Sequence, residues 1–277
     1  MMRRFTALKP RVLTSGRDRN STWPPHMRPN LPPPALAVCG LKKSFDRPAL
    51  DGLDLIVRAG EFYSLLGPNG AGKTTTLRLI AGLLKPDAGT ISVFGIDALA
   101  DPIGAKRIMA WVSDEPMIYD KLTPYENLEF VAGLWGIAAA DAQARADDLV
   151  QRLGLGPHAA ERCEGLSKGM RQKVALASAL VHDPRLIILD EPLTGLDAAS
   201  ARAVKDLLLA RVRAGATVLM TTHILEVAER MAERIGVIAA GRLIVEGTME
   251  ELRHRTGGRE TSLEDIFLTL GQRAVAA

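Results

Sequence analysis

The stretch Gly67-Pro68-Asn69-Gly70-Ala71-Gly72-Lys73-Thr74 decides the fold of this chain of 277 residues. It matches the phosphate-loop pattern G-x-x-x-x-G-K-[ST] in full. Its glycines let backbone N–H groups turn inward around phosphate oxygens, and a helix that begins at Lys73 adds its positive end to the same anion site. Lys73 is expected to reach the β- and γ-phosphates, and the Thr74 hydroxyl to bind Mg²⁺. The stretch therefore predicts a nucleoside-triphosphate site.

The segments on either side of this loop supply the context that the pattern requires. Phe62–Leu66 is a short apolar run that favours a buried strand entering a turn. Beyond the loop, apolar residues recur at helical spacing from Leu77 to Leu84, so the helix is expected to continue until Lys85-Pro86. Further strands are expected at Ala35–Val38, Leu53–Val57, Ile91–Phe94, Met109–Val112, Leu186–Leu189 and Thr217–Thr221, and in a hairpin of Ile235–Ala239 and Leu243–Val245 that turns at Gly241.

Residues from about 120 to 182 interrupt this alternation of strands and helices. Thr123 and Glu126 form a capping-box pattern around Pro124, which indicates a helix start. Helical patterns continue over 141–153 and 168–181, and after the block over 200–213 and 225–234. Two further capping patterns, Thr248 with Glu251 and Ser262 with Asp265, open short helices near the carboxyl end.

Charge is unevenly spread along the chain. The formal charge is +3, but residues 1–34 hold seven basic side chains and one acidic, so residues 35–277 carry −3. The Pro-rich basic tail is expected to be flexible. It is either an unstructured extension, which an upstream start codon could add, or a segment that contacts anionic lipid or RNA. An acidic body argues against nucleic-acid binding. Phe130–Ala140, the longest uncharged apolar stretch, is too short to span a bilayer.

The two cysteines, Cys39 and Cys163, do not have the spacing of metal ligands. They indicate a reducing compartment.

Two adjacent acids, Asp190 and Glu191, follow the apolar strand Leu186–Leu189. Neighbours on a strand point to opposite sides, so one carboxylate can serve a metal and the other the reaction. Asp190 is expected to hold Mg²⁺ and Glu191 to polarise an attacking water.

Three further motifs follow in order: Leu166-Ser167-Lys168-Gly169-Met170, Thr194-Gly195-Leu196-Asp197 and Thr221-Thr222-His223. With the loop and the acids, they resemble the ATPase subunit of ABC transporters over residues 36–250, as its signature stretch, D-loop and switch histidine. Met109–Ile137 and Ser262–Phe267 are most similar to the ATPases of type-2 bacterial exporters.

The resemblance implies an α/β fold, a P-loop NTPase core with a mostly parallel sheet flanked by helices, an antiparallel β subdomain and an inserted α-helical subdomain at about 115–182. The expected domains are a tail at 1–34, the ATPase domain at 35–250 and a C-terminal helical extension at 251–277. The implied catalytic residues are Glu191, His223 and Lys73. The implied ATP-binding residues are Phe45, Gly67, Pro68, Asn69, Gly70, Ala71, Gly72, Lys73, Thr74, Thr75, Ser167, Lys168, Gly169 and Asp197. The implied Mg²⁺ ligands are Thr74, Asp190 and Asp114.

Several of these assignments have an open alternative. Phe45 either stacks on adenine or belongs to the core. Ser167 can cap a helix whose N–H groups bind an anion, or can be an ordinary cap. Asp114 stands where the family usually has glutamine, which adds negative charge near the γ-phosphate, and Lys168 and Met170 also depart from the signature LSGGQ.

The resemblance also implies partners. Two subunits, in a homodimer or a pair of ATPase subunits, would sandwich each ATP between one phosphate loop and the other signature helix. They would drive an integral-membrane permease from the cytoplasmic face of the membrane, as a peripheral component. Apolar residues near Tyr125 either grip the permease or pack in the core: Met117, Ile118, Tyr119 and Leu122. The rival hypotheses are a soluble ABC ATPase acting on nucleic acid or ribosomes, and a metabolic kinase.

Overall fold

The structure, a computed structural model, describes residues 33–256 and 263–265. The strands are β1 (Leu36–Ser44), β2 (Pro48–Val57), β3 (Phe62–Leu66), β4 (Ala88–Val93), β5 (Ile96–Asp97), β6 (Met109–Val112), β7 (Leu186–Asp190), β8 (Thr217–Thr221), β9 (Arg234–Ala239) and β10 (Arg242–Gly247). The helices are α1 (Lys73–Ile80), α2 (Pro102–Arg107), α3 (Pro124–Leu134), α4 (Ala139–Arg152), α5 (Lys168–Leu180), α6 (Ala198–Arg213), α7 (Leu225–Met231) and α8 (Met249–Thr256). Predictions for residues 1–32 and for a cap at Ser262 lie outside the described residues.

A six-stranded sheet in the order β10-β9-β3-β8-β7-β6 forms the centre. All its neighbouring pairs are parallel except the β9–β10 hairpin. The hairpin turns at Ala240 and Gly241, both with positive φ, as a two-residue turn requires. Because parallel strands end at one edge, the residues that follow β3, β7 and β8 come together there, with Thr221 in register with both Leu65 and Asp190.

Successive residues of the central strands serve two separate apolar cores. On β7, Ile187 and Leu189 pack in a core that also holds apolar residues of α3–α6. Leu186 and Ile188 face the opposite core, which contains α1 and the inner face of the second sheet. Alternation with period two on a strand buried on both faces explains why the sequence there is uniformly apolar.

The second sheet is antiparallel, in the order β2-β1-β4-β5. It confirms the expected antiparallel β region beside the mostly parallel sheet. Its strands β1 and β2 extend beyond the apolar residues that predict them, because the paired backbone continues through polar residues as far as Ser44 opposite Pro48.

The stretch between β6 and β7 is helical in the described structure. Thr123 and Glu126 form the predicted capping box at the start of α3, with both reciprocal bonds present. A second box, Thr248 with Glu251, opens α8 as predicted. These caps confirm that short-range hydrogen bonding was correctly assigned from sequence.

Two predicted helix ends are wrong. The helix after the phosphate loop ends at Ile80 and not before Lys85, because Gly82 takes a left-handed φ of 65° and reverses the chain. The helix predicted over 225–234 ends at Met231, because Arg234 pairs in parallel with Tyr63 and starts β9. Helix α2 and strand β5 were not predicted.

No helix in the described part of the chain is both long enough and apolar enough to cross a lipid bilayer.

Candidate functional site

The phosphate loop connects β3 to α1 at the carboxyl edge of the central sheet. Gly72 precedes α1 with φ 107°, a conformation that side chains other than glycine rarely adopt. A Cβ atom on Gly67 would lie only 2.3 Å from the carbonyl oxygen of Ile238 in β9. The glycines are therefore required by close packing of the loop against the sheet as well as by its turn.

Lys73 is folded into this loop. Its Nζ donates to the carbonyl oxygens of Gly67, at 2.7 Å, and Pro68, at 3.1 Å. Burial lowers the pKa of Lys73, although the nearby carboxylates of Glu191 and Asp190 oppose this shift. A buried ammonium held by neutral carbonyls has an incomplete set of counter-charges, so an anion in the loop would stabilise it.

Asp190 lies at the end of β7 beside the loop and is 1% exposed. Its Oδ1 accepts a hydrogen bond from the Thr221 hydroxyl at 2.5 Å. Its Oδ2 is buried without a hydrogen-bond partner. A buried, unpartnered carboxylate oxygen fits a cation ligand, since hard cations prefer carboxylate and hydroxyl oxygens.

Metal binding here would depend on few protein groups. Within the described residues no cluster of three or more His, Cys, Asp or Glu side chains could hold a metal ion. Thr74, which follows Lys73 in α1, is half-buried, and its hydroxyl would be a second oxygen ligand. Asp114 is exposed in the loop after β6, where its Oδ1 accepts from the backbone N–H of Glu115 at 3.0 Å. Such a donor set suits Mg²⁺, which is usually held by one or two protein groups with phosphates and water.

Glu191 does not continue the strand. It has a φ of 49°, so the simple alternation expected for Asp190 and Glu191 is wrong at the second acid. Its Oε2 lies 2.9 Å from Nδ1 of His223 and accepts the Thr194 hydroxyl at 3.4 Å. The turn thus brings Glu191, the predicted switch histidine His223 and Thr194 of the D-loop together. The sequence alone did not predict this arrangement.

A cavity of about 220 Å³ lies between the phosphate loop and the segment after β8. Gly67, Pro68 and Asn69 line one side, and Thr222, His223 and Leu225 the other. The exposed imidazole of His223 therefore borders the same space as the loop.

The signature residues form a second cluster. Ser167 caps α5, and its Oγ accepts from the N–H of Met170 at 3.3 Å. A Cβ on Gly169 would contact the Leu196 side chain at 3.2 Å, so α5 packs directly on the D-loop. Asp197 caps α6 by accepting from the N–H and the hydroxyl of Ser200, and the N–H bond contributes most to lowering its pKa. Among the described residues, no hydrogen bond joins this cluster to the phosphate loop.

Phe45 stands apart from both clusters, in the turn between β1 and β2. Its side chain is 59% exposed, so it is not a core residue, and Nζ of Lys43 lies 5.6 Å from its ring centre. An exposed ring beside a cation is available for stacking.

Two site residues went unrecognised in the sequence. Thr221 contacts Asp190 and Glu191, whereas the sequence indicated it only as a strand-end threonine in the motif that leads to His223. Gln172 of α5 is 4% exposed and donates to the carbonyl of Ser113 at 3.3 Å, which joins the signature helix to the loop that contains Asp114.

The chain is similar to known proteins over most of its length. A family model described as "ABC transporter" matches residues 50–194, and an AAA-domain model matches 160–229. The chain is 41% identical to a daunorubicin resistance ATP-binding protein, DrrA3, of Streptomyces coeruleorubidus, over 81% of this chain and 71% of that protein. It is 38% identical to the ABC transporter ATP-binding protein NatA of Bacillus subtilis, over 82% of this chain and 92% of that protein.

Solved structures agree. An ATP binding subunit of an ABC transporter superposes with a TM-score of 0.81 at 32% identity, over 86% of this chain and 99% of that one. The dimeric post-hydrolysis state of an ATP-binding cassette, bound to ADP and Pi, superposes with a TM-score of 0.72 at 27% identity, over 77% and 98%.

Proposed function

Because the chain belongs to the ABC transporter family, and is thus an ATP-binding and ATP-hydrolysing subunit, we propose that the loop at 67–74 binds the nucleotide and that Glu191 and His223 carry hydrolysis. The observation that carries this proposal is the meeting of Lys73, the unpartnered oxygen of Asp190, and the Glu191–His223 pair at one sheet edge. Each group matches a need of phosphoryl transfer, which depends on positioning and charge neutralisation.

Mg²⁺ would be held by Thr74 and Asp190, with Asp114 contributing through water, and would neutralise charge on the phosphate oxygens. Lys73 would leave its two carbonyl partners for the β- and γ-phosphates. Gly70, Ala71, Gly72 and Thr75 would complete the cradle with backbone and side-chain donors, and Phe45 would stack on the base.

Glu191 orients the attacking water. The water oxygen forms its bond to the γ-phosphorus while the bond to the bridging oxygen breaks, and ADP leaves with that electron pair. The proton of the water passes to Glu191 or to the departing phosphate. His223, hydrogen-bonded to Glu191 and bordering the cavity, holds the carboxylate and donates to the γ-phosphate.

The second cluster would act on a nucleotide bound by another subunit. Ser167, Lys168 and Gly169 are exposed or half-buried at the start of α5, and Asp197 is exposed beside them. A helix start with a basic side chain offers an anion site, yet within residues 33–256 no hydrogen bond connects it to its own phosphate loop. The dimeric solved relative supports placing it across an interface with a second copy or a paired ATPase subunit.

An apolar surface next to Asp114 is proposed to contact the permease. Met117 is 81% and Tyr119 51% exposed, whereas Ile118 packs against the core. Met117 and Tyr119 are therefore available to a partner, and Ile118 is a core residue. The Tyr119 ring also packs edge-on against Phe130, at 4.8 Å between centres. Exposed apolar residues in such a group suit a short amphipathic helix of a membrane partner.

This surface is connected to the signature helix through specific bonds. Asn127, 1% exposed, accepts from the N–H of Tyr119 and donates to its carbonyl. Arg171 of α5 forms an ion pair with Asp120 at 2.7 Å and donates to the carbonyl of Cys163 at 3.1 Å. Displacement of residues 119–120 by a permease would therefore reach the segment that precedes Ser167.

The location and domain limits follow from this proposal. The subunit would bind the cytoplasmic face of the membrane through its permease, with residues 35–250 as the ATPase domain, about 115–182 as its helical part, 251–277 as an extension and 1–34 as a tail. Relatives named for daunorubicin resistance support export as the direction. The comparisons favour this function over the nucleic-acid and kinase hypotheses.

The proposal is tested with two variants and one purification. Lys73→Ala is expected to abolish nucleotide binding. Glu191→Gln is expected to keep binding, to slow hydrolysis at least 10²-fold, the range seen when a general base or water-orienting group is lost, and to accumulate an ATP-bound dimer in gel filtration. Near-normal turnover of Glu191→Gln would exclude Glu191 as the water residue. Co-purification from native membranes identifies the permease.

A further inference from the structure

Thr221 is completely buried at the end of β8, between the two acids of the site. Its hydroxyl donates to Oδ1 of Asp190 at 2.5 Å. Oγ1 of Thr221 also accepts a hydrogen bond from the backbone N–H of Glu191 at 3.2 Å. The Thr221 carbonyl oxygen accepts from that same N–H, also at 3.2 Å. One side chain thus contacts both acids.

The direction of these bonds fixes both acids. A hydroxyl has a single proton, and here it goes to Asp190, so its lone pair is left for the N–H of Glu191. The bond to Oδ1 stops rotation of the Asp190 carboxylate and leaves Oδ2 as its unpartnered oxygen. The bond from the Glu191 N–H holds this residue in its left-handed turn, which is costly for a side chain other than glycine and places its carboxylate next to His223.

We propose that Thr221 is a positioning residue for ATP hydrolysis, whose hydroxyl aims the free oxygen of Asp190 at the metal and holds Glu191 in the turn that presents it to water. This rests on the roles proposed above for Asp190 and Glu191. A hydrogen bond from a hydroxyl to a buried carboxylate is among the stronger ones, and its loss also leaves a buried charge with one donor fewer.

A purely structural role makes a different prediction. Every residue of β8 is buried, so valine would fill the position with the same shape. If the hydroxyl served only packing or strand stability, then Thr221→Val would change stability and leave the catalytic constants alone. The other end of the same strand offers a matched control, since Thr217 is equally buried and its Oγ1 accepts from the N–H of Gly60 at 2.9 Å, away from the acids.

The experiment compares Thr221→Val, Thr221→Ser and Thr217→Val in the full chain. Two quantities are measured: kcat and KM for MgATP, and the affinity for a non-hydrolysable ATP analogue with Mg²⁺ and with EDTA. In Thr221→Val, kcat is expected to fall about 10- to 100-fold. The gain in analogue affinity that Mg²⁺ provides is expected to shrink by about 10-fold, with little change in EDTA. Thr221→Ser is expected to restore both quantities, and Thr217→Val to change neither.

Three results would overturn the inference: kcat of Thr221→Val within about twofold of the parent (below one hydrogen bond's worth), failure of serine to restore activity, or an equal loss in Thr217→Val. If Thr221→Val does not fold, then Thr221→Ala and Thr221→Ser are compared, since they differ only in the hydroxyl. Glu191→Gln, measured in parallel, distinguishes failure of the proposed function from failure of the role of Thr221. An unchanged kcat in Glu191→Gln contradicts the proposed function. A reduced kcat in Glu191→Gln together with an unchanged kcat in Thr221→Val contradicts only the role of Thr221.

Discussion

The fit of the phosphate loop against β9 can be tested with one methyl group. In Gly67→Ala the new Cβ would lie 2.3 Å from the Ile238 carbonyl oxygen and 2.9 Å from its Cγ2. The separation must open by 0.7 Å to reach 3.0 Å, the lower limit of real contacts. Ile238 cannot move freely, because it is paired with Leu243 in the hairpin, so most of the shift falls on the loop.

The shift has two consequences of calculable size. Overpacking a well-filled site costs about 1–3 kcal/mol, and a backbone oxygen cannot rotate away, so we expect the free energy of unfolding to fall by about 2–3 kcal/mol. The Gly67 carbonyl, which holds Lys73 at 2.7 Å, moves with the loop. Displacement of the backbone N–H groups that would bind the phosphates by about 0.7 Å is expected to weaken ATP binding at least about 10-fold.

The assay is urea unfolding together with calorimetric titration of ATP. Gly133→Ala in α3 is the matched control, because a Cβ there meets nothing within 4 Å. That change is expected to stabilise the protein by up to about 1 kcal/mol by helix propensity, with unchanged ATP affinity. A Gly67→Ala protein as stable as the parent and with parental ATP affinity would refute the steric reasoning.

Three other predictions concern residues outside the phosphate site. Tyr119→Ala is expected to leave the ATPase activity of the isolated subunit intact and to lower co-purification with the permease; unchanged assembly would remove the surface from the proposal. Asn127→Ala strands the N–H and carbonyl of Tyr119 and is expected to cost about 3 kcal/mol in urea unfolding; a loss below about 1 kcal/mol would contradict this. His182 stacks on Trp135, and its Nε2 donates to the Met109 carbonyl. Burial lowers the pKa of His182 in the folded protein. As the pH falls below about 6.5, the unfolded chain therefore takes up the proton first, and the free energy of unfolding declines. His182→Gln is expected to flatten that decline between pH 7.5 and 5.5 in urea titrations, and an equally steep decline would assign it to another group.

Features determined within a few residues were the ones that the sequence predicted well. The phosphate loop, the Thr123–Glu126 box and the turn at Gly241 each depend on glycine conformation or on bonds between near neighbours. The end of α1 was misjudged because Leu83 and Leu84 keep helical spacing. In the structure Leu84 reaches the core from beyond the helix and Leu83 is exposed, so spacing alone could not tell a helix face from the turn that Gly82 makes.

Contacts between segments that are distant in sequence could not be predicted from the pattern of each segment by itself. The apolar residues of β7 predict a buried strand, but not that Thr221, 31 positions later, would be its partner. The choice between core and surface for Tyr119 likewise depended on Asn127, whose side chain holds the backbone of Tyr119 while the ring lies outward beside Phe130. A buried asparagine after a cap was the available signal, and it could have been read as an organiser of the preceding loop.

Glu191 shows why the chemistry of the site needs the third dimension. Strand alternation would have turned its carboxylate to the face opposite Asp190, into the apolar core on one side of the sheet. Because the chain leaves the strand at Asp190 and takes a φ of 49°, the carboxylate reaches Nδ1 of His223 instead. That conformation is unfavourable by itself, and the bonds from its N–H to Thr221 offset the strain. The geometry proposed for hydrolysis would therefore be stabilised from β8, which also leads into His223, so one strand end positions Asp190, Glu191 and His223 together.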